Sequence, residues 1–356
     1  MRVLLITSTV SEKSGWGRLS SATAEALRAE GLKVSVLTDE KKRTFGSFIK
    51  MCMRARSLAA CADAVHALDG WPYGVYGLAA VWGTRKKLFI NGIGTYSVAP
   101  LYSRARGLLL RLAYSRARNI FCISAYTMNQ LKQAGIAASK LIVVHLGTSA
   151  LGEVPSEYIE SVRQANRIPA DAYPILLTVG AVKERKGQLD TLKAAALLKA
   201  TYPNIFYITA GSLERLTYAQ EMRDVAGTSG MSERFRAIEH ADDQTISALY
   251  SLSTVFALNS TTDDRTHHFE GFGLVILEAN EQGKPAVGSR GCGIEDAIAD
   301  GKSGLLCRPG DPQDIAQKIG ELVERYDYFA ANAKMFAAGF TWQKTVKRYI
   351  DFYTQR

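Results

Sequence analysis

The feature that most restricts the fold is a regular alternation of short apolar runs and amphipathic stretches, which continues along the 356-residue chain. The apolar runs are rich in Val, Ile and Leu, as are strands buried on both faces of a parallel sheet. The stretches between them have helical spacing. Because strands and helices that alternate in this way pack as a parallel sheet covered by helices, the sequence predicts a doubly wound α/β architecture.

Two series of predicted strands divide the chain. The first series is Val3–Ser8, Lys33–Thr38, Ala64–Leu68, Leu88–Asn91, Asn119–Ile123 and Leu141–His145. The second series is Ile175–Val179, Ile205–Ala210, Arg234–Ile238, Val255–Asn259, Ala286–Ser289 and Gly304–Cys307. The clearest predicted helices are Leu19–Glu30, Gln188–Ala200, Ile246–Ser251, Leu274–Gln282 and Pro312–Glu324.

The alternation pauses over residues 148–173, which contain Gly152, Pro155 and Pro169. This segment is the predicted linker between two Rossmann-like domains, residues 1–160 and residues 170–339. Ligands of open parallel sheets bind outside the carboxyl ends of the strands. Two such domains are therefore expected to face each other across a cleft, with the functional residues directly after strands.

Charge is distributed unevenly between the two halves of the chain, whose net charge is +10. Residues 1–150 contain 21 Lys and Arg against 7 Asp and Glu, a balance of +14. Residues 151–356 contain 23 against 27, a balance of −4. So strong a basic bias in one half indicates an anionic partner, which is a nucleic acid, a membrane surface or a phosphorylated substrate.

Two segments of the basic half, Phe45–Leu58 and Tyr102–Arg118, combine cations with large apolar residues. Both are compatible with amphipathic helices that lie on an anionic membrane. Both are also compatible with core helices whose basic face is solvated, an interpretation favoured for the second segment. On the first interpretation, residues 1–150 bind anionic membranes in a salt-sensitive manner.

Composition excludes several classes of protein. With 47% hydrophobic and 22% charged residues, the sequence is that of neither a disordered nor a fibrous protein. It has no apolar run long enough to predict a membrane-spanning helix, and its first apolar run is too short for a signal peptide. The five cysteines, at 52, 61, 122, 292 and 307, form no CxxC pair, so buried free thiols and a cytoplasmic location are expected.

The loop after the first predicted strand contains Gly15 and Gly17, followed by Arg18 at the start of a helix. Backbone N–H groups at such a position can bind an anion. The third glycine of a dinucleotide-binding GxGxxG motif is replaced by Ser20, which argues against an NAD-dependent dehydrogenase. A tight strand-to-helix turn explains the two glycines equally well.

The loop after Val179 places Lys183, Arg185 and Lys186 between Gly180 and Gly187. Cations at the carboxyl end of a strand can stabilise the negative charge that develops on a diphosphate leaving group. A solvated basic loop is the alternative interpretation.

A third segment, residues 270–279, begins with Glu270-Gly271-Phe272-Gly273 and continues as a largely apolar predicted helix that contains Glu278. Carboxylates accept hydrogen bonds from hydroxyl groups, as a ribose or a hexose requires. A glutamate among apolar neighbours such as Ile276 and Leu277 needs a partner, because burying an unpaired charge is costly. An unrelated pair of glutamates is the alternative.

These motifs resemble those of the retaining glycosyltransferases of family 4, the glycosyl transferases group 1, which have the GT-B fold. The resemblance rests first on Glu270-Gly271-Phe272-Gly273 with Leu277-Glu278-Ala279. It extends to Gly283-Lys284-Pro285-Ala286-Val287 and to Val179–Gly187, and is looser before residue 174. It implies that residues 340–356 form a helix that packs back on the first domain.

The resemblance implies a role for each matching residue. Lys186 neutralises the diphosphate, with Arg185 beside it, and Glu270 lies near the hydroxyls of the donor sugar. Glu278 accepts hydrogen bonds from the ribose. The other implied donor-binding residues are Gly15, Gly17, Ala237, Glu239, Gly271, Phe272, Gly273 and Leu274. Arg18, Thr95 and Tyr96 are the candidate acceptor-binding residues.

Two positions depart from the family pattern. Many members have an arginine where this chain has Ala181; Lys183 and Arg185 are candidates to compensate for it, and phosphate binding is assigned first to Lys186. Many also have a histidine where this chain has Ile93, which leaves open a catalytically impaired relative that serves as a binding or partner subunit. A basic nucleic-acid-binding protein is a further alternative, although no recognisable motif of that class is present.

The resemblance implies transfer of a sugar from UDP or GDP to a glycan or lipid-linked acceptor, in the synthesis of cell-envelope polysaccharide or glycolipid. It also implies a front-face mechanism without a metal ion. No metal, no cofactor and no nucleic acid are expected, and the acidic pairs Asp242-Asp243 and Asp263-Asp264 are interpreted as solvated loop residues. The expected location is the cytoplasm, peripherally on the inner face of the membrane.

Overall fold

A computed structural model of the chain describes residues 1–11, 15–39, 44–148 and 151–355. The chain forms two compact units. The first contains Met1–Gly147, Asp264–Gly271 and Phe340–Arg356, and the second contains Thr148–Asp263 and Phe272–Gly339. Each unit has a six-stranded sheet in which the strands of each pair run parallel, as the alternation of apolar runs predicts.

The strands and helices of the first unit follow the predicted order. The strands are β1 (Arg2–Thr7), β2 (Lys33–Thr38), β3 (Ala64–Ala67), β4 (Lys87–Gly92), β5 (Asn119–Cys122) and β6 (Leu141–Val143). The helices before the chain leaves this unit are α1 (Gly15–Ala29), α2 (Phe45–Ala59), α3 (Val75–Val81), α4 (Thr95–Val98), α5 (Arg104–Arg116) and α6 (Ala125–Gln133). The sheet has the order β2-β1-β3-β4-β5-β6.

The last helix of the chain, α14 (Trp342–Thr354), belongs to the first unit. Its apolar face buries Val346, Tyr349 and Tyr353 against Phe89 of β4 and Phe121 of β5. Thr341 caps the first turn, because its side chain accepts a hydrogen bond from the backbone N–H of Lys344. A helix over residues 340–356 that packs on the first domain is what the family resemblance implies.

A buried histidine ties α14 to the sheet. His66 of β3 is fully buried, with Nδ1 2.6 Å from the hydroxyl of Tyr353 and Nε2 2.7 Å from Oδ1 of Asn91. Because an amide oxygen only accepts, Nε2 carries the proton and the hydroxyl of Tyr353 donates to Nδ1. Burial lowers the pKa of His66 from its usual 6.5 to about 4, so the neutral ring is the form that fits this site.

This histidine predicts a loss of stability in mild acid. Between pH 6.5 and about pH 4 the unfolded chain protonates His66 and the folded chain does not. The group's contribution to stability is therefore complete above pH 6.5 and is reduced by about 3 kcal/mol at pH 4. The free energy of unfolding of the wild type and of His66→Gln, measured by denaturation at several pH values, gives this contribution. The wild type's stability advantage over the variant is expected to shrink as the pH falls, and an advantage independent of pH would contradict the assignment.

The second unit contains the other six strands. They are β7 (Ile175–Val179), β8 (Phe206–Ala210), β9 (Phe235–Ile238), β10 (Val255–Leu258), β11 (Ala286–Ser289) and β12 (Gly304–Cys307). Its helices are α7 (Ser156–Ala165), α8 (Gln188–Leu198), α9 (Leu216–Thr228), α10 (Asp243–Leu252), α11 (Leu274–Glu281), α12 (Pro312–Glu324) and α13 (Tyr326–Ala337). The sheet has the order β12-β11-β10-β7-β8-β9.

The division into units differs from the predicted domains at two places. The first segment of the first unit ends at Gly147 rather than at residue 160, and the predicted linker contains α7. This helix belongs to the second unit, where the hydroxyl of Tyr158 lies 3.1 Å from that of Thr245. In addition, residues 264–271 lie in the first unit, although the sequence places them within the second domain.

The cysteines are free, and three of the five are buried. Burial raises the pKa of the Cys122 and Cys307 thiols to about 12, which leaves them protonated and unreactive at neutral pH. The prediction of buried thiols is confirmed for Cys122, Cys292 and Cys307, whereas Cys61 is exposed and Cys52 is half-buried. Among the described residues, no helix has the length and apolar character needed to cross a membrane.

Candidate active site

The sheet of the second unit reverses its direction of growth between β7 and β10. From β7 the chain adds β8 and β9 on one side, and it then returns to place β10, β11 and β12 on the other. Ligands of open α/β sheets bind outside the carboxyl ends of the strands at such a switch point. The segments that follow Val179 and Leu258 are therefore where a ligand of this unit is expected.

The basic loop predicted from the sequence lies at this switch point. Residues 184–186 form a single 3-10 turn, and the carbonyl of Arg185 accepts a hydrogen bond of 2.9 Å from the N–H of Thr261, in the loop that follows β10. A β-carbon placed on Gly180 would lie 3.9 Å from Nζ of Lys186. The ammonium group of the half-buried Lys186 therefore lies beside the end of β7, where the sequence predicts a diphosphate-binding cation.

Lys183, another cation of this loop, forms an ion pair. Nζ of Lys183 lies 2.7 Å from the carboxylate of Glu214, which follows β8. This ion pair balances the charge of Lys183, so the suggestion that Lys183 replaces the arginine missing at Ala181 loses support. Arg185, the other residue suggested for that role, stays a candidate.

Gly187 holds the loop in its position. Its backbone is left-handed, with φ 66° and ψ 24°, and it directly precedes α8. A β-carbon on Gly187 would lie 1.9 Å from the carbonyl oxygen of Asn259. Only glycine permits this approach of the loop to the end of β10, because any side chain would overlap the backbone.

Helix α11 begins at the same edge of the second sheet. Gly273, with φ 100°, precedes the helix, and Leu274 is its first residue. Glu278 lies in the second turn and accepts a hydrogen bond of 3.1 Å from the hydroxyl of Tyr250. The glutamate therefore has the partner that its apolar surroundings require, and Tyr250 is a residue that sequence reasoning missed. Tyr250 belongs to α10 and Glu278 to α11, so no pattern in the residues around Glu278 indicates this contact.

Ala237 and Glu239 lie at the edge of the second sheet. Ala237 is exposed on the edge strand β9, and Glu239 follows that strand. The imidazole of His240 lies 3.6 Å from the carboxylate of Glu239. Ala237 and Glu239, two of the predicted donor-binding residues, are thus solvent-accessible, whereas Phe272, another of them, is buried. The part of these residues in donor binding stays a prediction.

In the first unit, the glycines of the first loop lie in the first turn of α1. Residues 12–14 of the same loop lie outside the described residues. Thr7 at the end of β1 accepts a hydrogen bond of 2.9 Å from Nε1 of Trp16. Since the sheet reverses its direction of growth between β1 and β3, Gly15, Gly17 and Arg18 follow the switch point of this unit.

Segment 264–271 packs on the first unit beside the carboxyl end of β4. The N–H of Phe269 donates to Oγ1 of Thr95 at 3.4 Å, and the buried Phe269 ring packs against Tyr126. A β-carbon on Gly271 would lie 2.0 Å from the carbonyl oxygen of Ile93. The structure therefore groups Glu270 and Gly271 with Ile93 and Thr95, a grouping that sequence spacing does not indicate.

The two adjacent histidines of this segment have different surroundings. The imidazole of His267 stacks on the ring of Tyr102, with centroids 3.8 Å apart. His268 lines a cavity of the first unit together with Thr95 and Tyr96. Among the described residues, no cluster of three or more His, Cys, Asp or Glu side chains has a metal-binding arrangement.

Two parallel α/β sheets in one chain are characteristic of the GT-B fold. The chain resembles Anabaena Alr3699/HepE, solved in complex with UDP and glucose, with a TM-score of 0.80, 20% identity and 100% coverage of both chains. It also resembles sucrose-phosphate synthase from Thermosynechococcus elongatus, with a TM-score of 0.76, 17% identity and coverage of 99% of this chain and 98% of that one. At these identities the likeness establishes the fold, which is GT-B, as the motifs predict.

The family follows from sequence comparison. The model of the family described as glycosyl transferases group 1 matches residues 159–336, which is half of the chain. The chain belongs to this family, and the family assignment made from its motifs is confirmed.

Two curated relatives that the chain resembles carry the same name. The chain is 32% identical over 201 residues to the D-inositol 3-phosphate glycosyltransferase of Corynebacterium urealyticum, which covers 54% of this chain and 46% of that protein. It is 32% identical over 195 residues to the protein of the same name from Streptosporangium roseum, with 52% and 43% covered. The chain spans about half the length of the curated relatives it matches.

Proposed function

We propose that this protein is a retaining glycosyltransferase that moves a sugar from a UDP- or GDP-sugar to a glycan or lipid-linked acceptor in the synthesis of cell-envelope polysaccharide or glycolipid. The observation that carries the proposal is the position of Lys186, beside the end of β7 at the switch point of the second sheet. Membership of glycosyl transferases group 1 supports a glycosyl-transfer reaction there.

The donor nucleotide is assigned to the second unit. Lys186 and Arg185 bind the diphosphate, helped by the backbone N–H groups at the start of α11. Glu278, oriented by Tyr250, accepts from the ribose hydroxyls. The UDP in the complex of Anabaena Alr3699/HepE supports a nucleotide diphosphate as the ligand of such a fold.

The first unit is assigned to the acceptor and to part of the donor sugar. Glu270 accepts from hydroxyls of the sugar, and Thr95 and Tyr96 contact the acceptor beside it. Arg18 after β1 supplies a positive charge for an anionic acceptor. The name of the curated relatives, which specifies an inositol phosphate, supports an acceptor that carries hydroxyl groups and negative charge.

The proposed mechanism retains the configuration of the sugar. The bond between the anomeric carbon and the β-phosphate oxygen breaks, and the acceptor hydroxyl oxygen bonds to the same face of that carbon. The hydroxyl proton passes to the departing phosphate oxygen. Lys186 stabilises the negative charge that develops on the diphosphate, a role in which one preorganised group contributes a factor of about 10²–10³. No metal ion takes part in this scheme.

A donor screen tests the proposal. Purified protein is incubated with UDP- and GDP-sugars and with inositol phosphates, glycans or lipid-linked acceptors, and the released nucleotide is measured. One donor is expected to release nucleotide in an acceptor-dependent manner, in excess chelator as well as without it, and the anomeric proton of the product is expected to show retained configuration. Inverted product, or turnover lost in chelator, would contradict the mechanism, and absence of nucleotide binding would contradict the function.

We further propose that the first unit docks peripherally on the anionic cytoplasmic face of a membrane. The exposed side of α2 carries Phe45, Ile49 and Met53, one helical turn apart, and the exposed Lys50 and Arg54 directly follow Ile49 and Met53. On α5 the exposed side carries leucines as well as arginines. These leucines favour membrane docking over the alternative in which that side is only basic and solvated.

Vesicle binding gives the corresponding prediction. Leu108 and Leu112 of α5 are 71% and 41% exposed. Replacing both with glutamine is expected to weaken binding to anionic vesicles by about 100-fold or more, because each inserted leucine contributes about 1.5–3 kcal/mol and about 1.4 kcal/mol is a factor of ten. Added salt is expected to weaken wild-type binding. Leu197→Gln, at a leucine 51% exposed on α8 of the second unit, is the matched control and should leave binding unchanged. Equal binding to neutral vesicles would contradict docking through the basic residues.

A further inference from the structure

The first unit contains a cavity of about 670 Å³, and of its lining residues only Thr95 and Tyr96 have been assigned a contact with the acceptor. It lies where the first turns of α2 and α5 approach the loop after β3 and the start of α4. The volume is within the range of about 300–1,000 Å³ that small-molecule sites occupy. The cavity is therefore large enough for a substantial part of a substrate.

Most of the cavity wall is apolar and aromatic. Phe48 of α2 stacks on Trp71, with centroids 6.0 Å apart and an angle of 21° between the rings. Phe45, Pro72 and Leu109 continue the wall. A wall of this composition suits a hydrocarbon or ring system rather than a free sugar, whose hydroxyl groups would lose their hydrogen bonds to water.

The polar lining includes one arginine. Arg106 lines the cavity from α5 and is exposed to solvent, and Ser103, Thr95 and His268 add hydrogen-bonding groups. A guanidinium beside hydroxyl groups is suited to a phosphate or phosphate ester. The cavity thus joins an apolar compartment to an anion-binding edge, which is the chemistry of an amphiphile with an anionic head.

The cavity is continuous with the surface assigned to membrane docking. Phe45 and Leu109 line the cavity and are also exposed on α2 and α5. Thr95 also lines the cavity, and its hydroxyl accepts from the N–H of Phe269, the neighbour of Glu270. The lining residues of the cavity therefore include both residues of the surface assigned to membrane docking and a residue bonded to the segment that holds Glu270.

We infer that this cavity binds the apolar part of an anionic amphiphilic acceptor, a lipid phosphate, with the phosphate at Arg106. The inference rests on the proposed function, because it names the chemical class of the acceptor. It assigns specificity for the acceptor to Phe48, Trp71 and Arg106, which have no part in binding the donor.

Calorimetric titration of the full chain with alkyl phosphates, below the concentration at which they form micelles and without nucleotide, tests the inference. Decyl phosphate is expected to bind one site per chain, and affinity should rise about fourfold for each methylene from butyl to decyl phosphate, since each buried methylene contributes about 0.8 kcal/mol. Inorganic phosphate alone should give no measurable binding.

Two variants, each with a matched control, test whether the ligand lies in this cavity. Ser103→Trp fills the cavity at a residue whose side chain makes no cap hydrogen bond with α5, and it is expected to abolish binding of decyl phosphate. Ala105→Trp adds the same bulk at an exposed position of α5 and is expected to retain binding. Arg106→Gln, which requires no repacking, should raise the Kd for decyl phosphate about threefold and leave that for decanol unchanged. Arg104→Gln is its matched control.

The outcomes separate this inference from the proposed function. Absence of decyl phosphate binding to a folded wild type, or equal binding by Ser103→Trp and Ala105→Trp, would overturn the inference. Should Ser103→Trp fail to fold, the comparison of Arg106→Gln with Arg104→Gln decides, and equal affinities would overturn it. UDP binding, measured separately, tests the donor site, so the proposed function can stand when the cavity assignment fails.

Discussion

Replacing Lys186 with alanine is expected to lower turnover about 100- to 1000-fold. Its ammonium group lies beside Gly180 at the end of β7, and the loop that carries it is bonded to the segment after β10 through Arg185 and Thr261. A cation held in this way stabilises the charge of the departing diphosphate without reorganising during the reaction. The effect should appear in kcat, because the diphosphate gains charge as the transition state forms.

Steady-state kinetics of released nucleotide measures this effect. Lys193→Ala removes an equal charge from the exposed face of α8, close in sequence, and should leave turnover within about twofold of the wild type. If Lys186→Ala and Lys193→Ala behave alike, Lys186 is not the leaving-group cation.

Replacing Gly187 with alanine is expected to destabilise the second unit by about 3–5 kcal/mol. The left-handed backbone alone costs a residue with a β-carbon about 1–2 kcal/mol. The larger part comes from the added carbon, which would lie 1.9 Å from the carbonyl oxygen of Asn259 and 2.7 Å from its carbon. Either the backbone of the loop or that of β10 must move, and backbone is costly to displace in a packed sheet.

Gly301→Ala separates the two contributions. Gly301 also has a positive φ, 77°, but a β-carbon there would meet no atom within 4 Å. This variant should therefore lose only the conformational part, about 1–2 kcal/mol, in denaturation experiments. Gly187→Ala should in addition lose activity, since the loop that positions Lys186 is displaced. Equal losses of stability in the two variants would show that the approach to Asn259 is not restrictive.

The strands were predictable because burial on both faces leaves a local signature. Each of the twelve predicted strands is present, and four of them, such as Ile175–Val179, have the predicted bounds. Helix ends were less predictable. Helix α1 begins at Gly15 and not at Leu19, because Gly15, Gly17 and Arg18 leave its first turn without a periodic apolar signal.

The local positions of the candidate donor-site residues were predictable to the extent that these residues are close in sequence. The sequence placed Lys186 after β7 and Glu278 within a helix, and both positions are confirmed. Partners from distant segments were not predictable. Tyr250 reaches Glu278 from α10, and Glu214 pairs with Lys183 from the loop after β8. Nothing in the residues near either glutamate indicates these contacts.

In the basic half, too, the sequence predicted the composition of a segment but not which of its side chains are exposed. The sequence identified Tyr102–Arg118 as basic and apolar, but periodicity alone favoured a helix with its leucines buried. The structure buries Leu110 and exposes Leu108, Leu109 and Leu112. Which face of a helix meets the sheet depends on the volume available beneath it, and that volume is set by other elements.

The amino-acid pattern was sufficient to determine two α/β units with parallel strands, the concentration of positive charge in residues 1–150 and the glycosyltransferase motifs. These properties depend on neighbouring residues and on composition. Only the tertiary structure decided that residues 264–271 join the first unit, that Lys183 is paired, and that an aromatic cavity with an arginine opens between α2 and α5. Such features depend on contacts between residues far apart in the chain, whose geometry is set when the helices and sheets pack.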